Sequence, residues 1–177
     1  MAASLVTLAC TVRPLRAEDE DAADGVVERA FGRRGEADLV RALRAEEPAF
    51  VELVAESEGR VVGHVGWSPV RADRLAPGVV AFGLAPVSVE PGLQRSGAGG
   101  KLVHAGFAAC RERGVGVVFV LGHASYYPRF GFEPALSRGF RYRSADFDRS
   151  FFVRELAPGA AAGGGGLVHF HPAFDRF

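Results

Sequence analysis

The sequence predicts an α/β fold: one domain over residues 1–177, with a single mixed sheet of about seven strands and accompanying helices. Three observations carry that prediction. Residues 115–121 form an almost unbroken apolar run, as a strand buried on both faces requires. The segment before it repeats apolar or small residues at helical spacing: Gly99, Leu102, Val103, Gly106, Phe107 and Cys110. Residues 50–55 and 60–65 flank the turn residues 57–59, which reads as an antiparallel hairpin.

The elements follow in order. Residues 5–15, rich in Val, Leu and Thr, read as the first strand, and the acidic cluster 18–21 after it suits the positive end of a helix. Val26, Val27 and Ala30 give that helix an inner face. After the break at 32–35, Leu39, Val40 and Leu43 give a second helix one. The hairpin arm continues toward Val70, residues 73–78 form a loop, and 79–89 make a strand in which Pro86 predicts a bulge. Gly114 stops the helix that precedes 115–121. Residues 125–129 suit a short helix, and 151–156 and 167–171 read as closing strands. The glycine run 163–166 reads as a flexible turn.

Composition removes several function classes. Hydrophobic residues make up 48% and charged residues 24%, which is ordinary globular usage rather than disorder. Lys plus Arg and Asp plus Glu are each 21, so no overall positive field would gather nucleic acid. No apolar run of about 18 residues exists, so no membrane span is expected. Cys10 and Cys110 lack metal-ligand spacing and suit a reducing cytoplasm. His169 and His171 would share a strand face, but no third ligand is visible, so no metal is expected.

The strongest chemical signal is a strand that runs into a glycine-rich turn and then a helix. Gln94, Arg95, Ser96, Gly97, Ala98, Gly99, Gly100 and Lys101 form the turn. Glycines remove the Cβ atoms that would hold phosphate away, and the helix start adds unpaired N–H donors and a positive dipole end. Arg95 and Lys101 can add charge. A dinucleotide fingerprint fails at Leu102, and a phosphate-binding P-loop fails at Arg95 and again at Leu102. Glycines chosen only for close helix packing are the competing reading.

Gln94-Arg95-Ser96-Gly97-Ala98-Gly99 resembles the Gln/Arg-x-x-Gly-x-Gly/Ala coenzyme A signature of the GNAT superfamily of N-acetyltransferases. Arg13-Pro14, Val62-Gly63-His64, the stretch Tyr126-Tyr127-Pro128-Arg129-Phe130-Gly131-Phe132 and the tail around His169 and His171 are similar to bacterial members. The resemblance implies a GNAT-like mixed sheet, partly splayed, with helices on both faces. It implies acetyl-CoA as cosubstrate, with backbone groups of Val87, Ser88 and Val89 on the pantetheine and Gln94 to Lys101 around the pyrophosphate. The acceptor would be a small-molecule or peptide amine. A non-catalytic CoA-binding module is the alternative, and a homodimer is compatible with the resemblance.

Direct acetyl transfer needs an acid for the departing thiolate, and Tyr127 occupies the family's tyrosine position. A core aromatic is its bland reading, and the adjacent Tyr126 is its rival. Many relatives carry Asn at the end of the preceding strand, where Gly122 and His123 stand here. No base is assigned: Glu90 and His123 lie near the expected cleft mouth, His64 reads as an arm residue with a satisfied ring, and the acidic cluster 18–21 as a solvated helix start.

Overall fold

The computed structural model describes residues 8–177. The chain divides into two compact units, one of Met1–Gly66, Pro86–Gly106 and Ala173–Phe177, the other of Trp67–Ala85 and Phe107–Pro172.

In the first unit, β1 (Thr11–Pro14) pairs antiparallel with β2 (Val51–Ser57), from Thr11↔Glu56 to Pro14↔Leu53. Residues 5–7 of the expected first strand lie outside the described residues. The sheet continues through β3 (Arg60–Arg74) to β4 (Val80–Val89). Helix α1 (Glu20–Phe31) buries Ala23, Val26 and Val27, and ends at Gly32, whose φ of 67° lets it cap the Glu28 carbonyl. Helix α2 (Gly35–Glu46) buries Ala37, Leu39, Val40 and Leu43. Val27, Ala37 and Val40 pack together with Phe50, which joins the two helices in one apolar cluster.

Charge pairs tie these elements as well as apolar contact. The Arg13 guanidinium reaches Asp19 at 2.5 and 2.9 Å and Glu56 at 2.6 and 2.9 Å, which fixes the start of α1 against the β1–β2 pair. Asp19 is therefore buried and paired, whereas the sequence suggested a solvated acidic cluster. A second network runs from Arg41 and Arg44 of α2 to Asp24 of α1, and from Arg44 to Glu52 of β2. Glu52 also meets His64 Nε2 of β3 at 2.9 Å. Burial alone would raise the Glu52 carboxyl, but the hydrogen bonds from His64 and Arg44 outweigh it and hold the group below its ordinary value.

In the second unit, β5 (Val115–Leu121) lies parallel to β4 and antiparallel to β8 (Phe151–Glu155). The register with β4 shifts at Val80/Ala81. The strands β6 (Glu133–Pro134) and β7 (Phe140–Arg141) pair with β8 and with β9 (Gly165–His169), and β9 also pairs with β3. Phe119 forms the centre of this core, stacked on Phe151 at 5.6 Å and edge-on to Phe140 at 5.0 Å. All seven expected strands are present. Among the described residues the sheet has nine, because β6 and β7, of 2 residues each, are too short to show a periodic pattern.

The glycine run is a turn at Gly163, with open space around it, but departs from the expected flexible turn over residues 164–166. Gly165 and Gly166 already belong to β9, and Gly164 sits where a Cβ would lie 2.4 Å from the Phe140 ring. Close packing, not looseness, selects glycine there. Helix α3 (Ala98–Glu112), like β3 and β4, begins in one unit and ends in the other. Among the described residues no helix is long and apolar enough to cross a membrane.

The Arg13 hydrogen bonds lower the Asp19 carboxyl to about 2, against the opposing effect of burial. A carboxylate with a depressed folded-state pKa adds stability above its unfolded value and loses it as pH falls toward the folded one. Asp19→Asn should lower unfolding stability by roughly 1–2 kcal/mol at pH 7, and the difference should shrink to about a few tenths of a kcal/mol as denaturant titrations are carried from pH 4 to pH 2.

Candidate active site

β4 pairs with β5 from Val80↔Val115 to Leu84↔Val120, then continues to Val89. At its end the Glu90 N–H donates to the Val62 carbonyl of β3 at 2.9 Å. Strand alternation then turns Ser88 toward β3 as well, and the Ser88 carbonyl lies 3.2 Å from where a Cβ on Gly63 would be. The backbone groups of Val87 and Val89 therefore face the opposite edge. Of the three residues expected to offer backbone groups, Ser88 lies with its carbonyl close to Gly63 of β3, and its hydroxyl donates to the His64 carbonyl at 3.4 Å.

The turn is built in short steps. A single 3-10 turn, Pro91–Leu93, is closed by the Leu93 N–H on the Glu90 carbonyl at 2.8 Å. The Gln94 side-chain amide donates to the Val89 carbonyl at 3.3 Å, and the Ser96 hydroxyl to the Leu93 carbonyl at 2.6 Å. Arg95 and Gly97 both take positive φ, 62° and 91°. Glycine adopts such a value freely, whereas for Arg95 it stores about 1–2 kcal/mol of backbone strain. The first bond of α3 is Lys101 N–H to the Gly97 carbonyl, 3.1 Å, so the N–H groups of Ala98, Gly99 and Gly100 precede any partner within the helix. Ala98 is buried and, with Leu102 and Val103, anchors the helix start in the core. Leu102 packs so near Gly63 that a Cβ there would lie 2.9 Å from it.

The Lys101 side chain is engaged elsewhere than the sequence suggested. Its ammonium donates to the carbonyls of Leu8 and Cys10, each at 3.2 Å, and the Leu8 N–H returns to the Ser96 carbonyl at 3.1 Å. The cation fastens the segment before β1 to the turn, which leaves Arg95, exposed, as the turn's outward cation.

Tyr127 opens a 3-10 turn, Tyr127–Phe130, that ends at Gly131 in the left-handed region. Its ring is buried against Tyr126 at 5.2 Å, Phe132 at 5.7 Å and Phe152 at 6.4 Å. Among the described residues, the sealed polar atoms without a partner are His64 Nδ1, Trp67 Nε1, Ser68 Oγ and Asp148 Oδ1. The Tyr127 hydroxyl is not one of them. Burial, with a smaller effect from the Tyr126 phenol, raises the Tyr127 pKa well above its ordinary value, so the group stays protonated at neutral pH. Tyr126 is raised less, by burial opposed by Arg129, which lies over its ring at 4.9 Å.

Arg154 of β8 was missed in the sequence, although a cation directly after the apolar run 151–153 is a readable signal. It donates to the Phe130 carbonyl and lies 4.2 Å over the Phe107 ring. Of the base candidates, Glu90 is paired, and only the backbone of His123 is bonded. Glu90 takes two bonds from Arg29, 2.8 and 3.1 Å, and the His123 carbonyl accepts the Tyr126 N–H at 2.9 Å. The His64 ring is satisfied only at Nε2. His169 Nε2 meets Asp73 at 2.8 Å. Burial pushes the Cys110 thiol up to about 12, against the pull of Arg113 and Arg111, which makes it a poor nucleophile.

A family model described as an acetyltransferase (GNAT) domain matches residues 11–135. The uncharacterized N-acetyltransferase YhbS of Escherichia coli K12 is 36% identical over 160 residues, 90% of this chain and 95% of that one. A crystal structure of YhbS from Escherichia coli in complex with CoA has a TM-score of 0.88 at 34% identity, covering 96% of this chain and 94% of that one. A GNAT family acetyltransferase from Brucella melitensis, in complex with acetyl-CoA, has a TM-score of 0.75 at 33% identity, covering 94% and 98%. The class is therefore an acyltransferase. More narrowly, the chain belongs to the GNAT superfamily of N-acetyltransferases.

The turn's geometry makes its own forecast. Gly97 has open space around it but φ of 91°, whereas Gly92 has open space and no such constraint. Gly97→Ala should lower Tm by about 3–6 °C, as roughly 1–2 kcal/mol of strain implies, while Gly92→Ala should leave Tm unchanged in the same calorimetric scan.

Proposed function

We propose that this chain moves an acetyl group from acetyl-CoA directly to a primary amine. The observation that carries the proposal is the start of α3, where Ala98, Gly99 and Gly100 present N–H groups without helical partners beside the left-handed Gly97. Such a turn suits a pyrophosphate: the donors are fixed, the dipole end is positive, and no Cβ of a glycine stands in the way. Arg95 adds a planar, exposed cation. Binding of CoA by YhbS and of acetyl-CoA by the Brucella protein supports the choice of ligand.

In this reading the outward edge of β4, Val87 and Val89 above all, pairs with the pantetheine amides, and the turn from Gln94 to Lys101 holds the pyrophosphate. The amine nitrogen attacks the thioester carbonyl carbon, the C–S bond breaks, and the acetyl group leaves as an amide. The attacking nitrogen gives up a proton to solvent or a base, and the sulfur gains one. Tyr127 supplies the hydrogen bond to that sulfur. A thiol titrates near about 8.5 and a phenol near about 10, so complete transfer from a buried phenol is uphill. Its main contribution is to stabilise the thiolate as charge develops there. No acyl-enzyme is required, in keeping with the high pKa of Cys110.

An acetyl-CoA-dependent screen over amino acids, polyamines and peptide N-termini, read by thiol release and mass spectrometry of the product, tests the reaction. A mass gain of one acetyl group on an amine supports it. Tight CoA binding with no acetylated product across the panel points to a binding module instead. Tyr127→Phe keeps the ring and removes the hydroxyl, so kcat should fall about 10²-fold while the Kd for CoA stays within twofold. Unchanged kcat would remove Tyr127 from the chemistry.

A further inference from the structure

The placement of the Tyr127 hydroxyl depends on a neighbour that carries no side chain. A Cβ built on Gly122, just past the end of β5, would lie 2.2 Å from Cε2 of the Tyr127 ring, 3.0 Å from Cδ2 and 3.2 Å from Cζ. Carbon atoms rest at about 3.5–4.0 Å, so any other residue at 122 would have to push the ring by more than about 1 Å. The backbone at Gly122 does not take a left-handed φ, so conformation is not what selects glycine here.

The ring has little freedom to yield. Phe132, Phe152 and Tyr126 pack around it. Both ends of its segment are fastened as well. The His123 carbonyl accepts the N–H groups of Tyr126 at 2.9 Å and Tyr127 at 3.4 Å, and Arg154 holds the Phe130 carbonyl. Gly122 itself is fixed by its N–H on the Ser150 carbonyl at 2.8 Å. A methyl group at 122 must therefore move the phenol rather than the backbone.

We propose that Gly122 is a positioning residue, whose missing side chain is the seat that sets where the Tyr127 hydroxyl stands. The role rests on the reading of Tyr127 as donor to the departing sulfur. Gly122 touches no substrate in it; it acts through Tyr127 alone.

The test compares Gly122→Ala, Tyr127→Phe and the double variant, using thiol release from acetyl-CoA with water as acceptor, so that no amine need be known. A misplacement of about 1 Å can cost on the order of 10²-fold in rate, so Gly122→Ala should lose roughly as much kcat as Tyr127→Phe with an unchanged KM for acetyl-CoA. The double variant should be no slower than Tyr127→Phe alone, because the methyl has no hydroxyl left to displace. A crystal structure of Gly122→Ala should show the hydroxyl moved by more than about 1 Å. If Tyr127→Phe is slow but Gly122→Ala is not, or if the two losses multiply, the seat is refuted while Tyr127 keeps its role. If Tyr127→Phe is as fast as the parent, the reading of Tyr127 fails first, and the crystal structure alone then decides the steric claim. Should Gly122→Ala not fold, Gly122→Ala with Tyr127→Leu should, since the smaller side chain leaves room for the methyl; failure of that pair also overturns the seat.

Discussion

The first turn of α3 leaves the N–H groups of Ala98, Gly99 and Gly100 with no partner in their own helix, and the surrounding structure holds them in place. Ala98, Leu102 and Val103 are buried, so the helix start cannot drift. Gly63 lets Leu102 come close, and Lys101 ties the segment before β1 to the same turn. Positive φ at Arg95 and Gly97 turns the chain sharply into the helix start. An anion is the natural complement to such an arrangement, because leaving several donors unpaired is unfavourable and a helix start favours negative charge.

The first unit is held largely by charge pairs and the second by aromatic packing. Arg13, Asp19 and Glu56 join the start of α1 to β1 and β2, and Asp24, Arg44, Glu52 and His64 join both helices to β2 and β3. Each of these buried or half-buried carboxylates has an arginine partner. The second unit instead relies on Phe119, Phe140, Phe151 and Tyr142, with Tyr127 in a neighbouring aromatic group. Tyr127 is thus both a packing residue and the proposed donor. Rigid packing of its ring holds a hydroxyl in one place.

Periodicity and punctuation made much of this readable from the chain alone. The run 115–121 is β5 to the residue, since a strand buried on both faces admits only apolar side chains. The helix after the glycines and the hairpin at 57–59 follow equally local rules. Contacts between distant positions were not readable. Arg13 and Glu56 are 43 residues apart, and nothing in either segment names the other. The facing of Ser88 depends on the bond from Glu90 to Val62. The tight glycines at 164–166 look the same as a loose linker until Phe140, Arg74 and Asp73 are placed beside them. Gly122 stood out as a departure from the family pattern, but its reason is the ring of Tyr127, which no sequence spacing reveals.

Amide chemical shifts across a titration with coenzyme A measure the claim about the turn most directly, because each N–H reports on its own hydrogen bond. With ¹⁵N-labelled protein, the largest downfield changes should fall on Ala98, Gly99 and Gly100, the donors that gain an acceptor. Saturable binding in which those three amides stay unmoved while others shift would contradict it, and would leave the glycines with a packing role only.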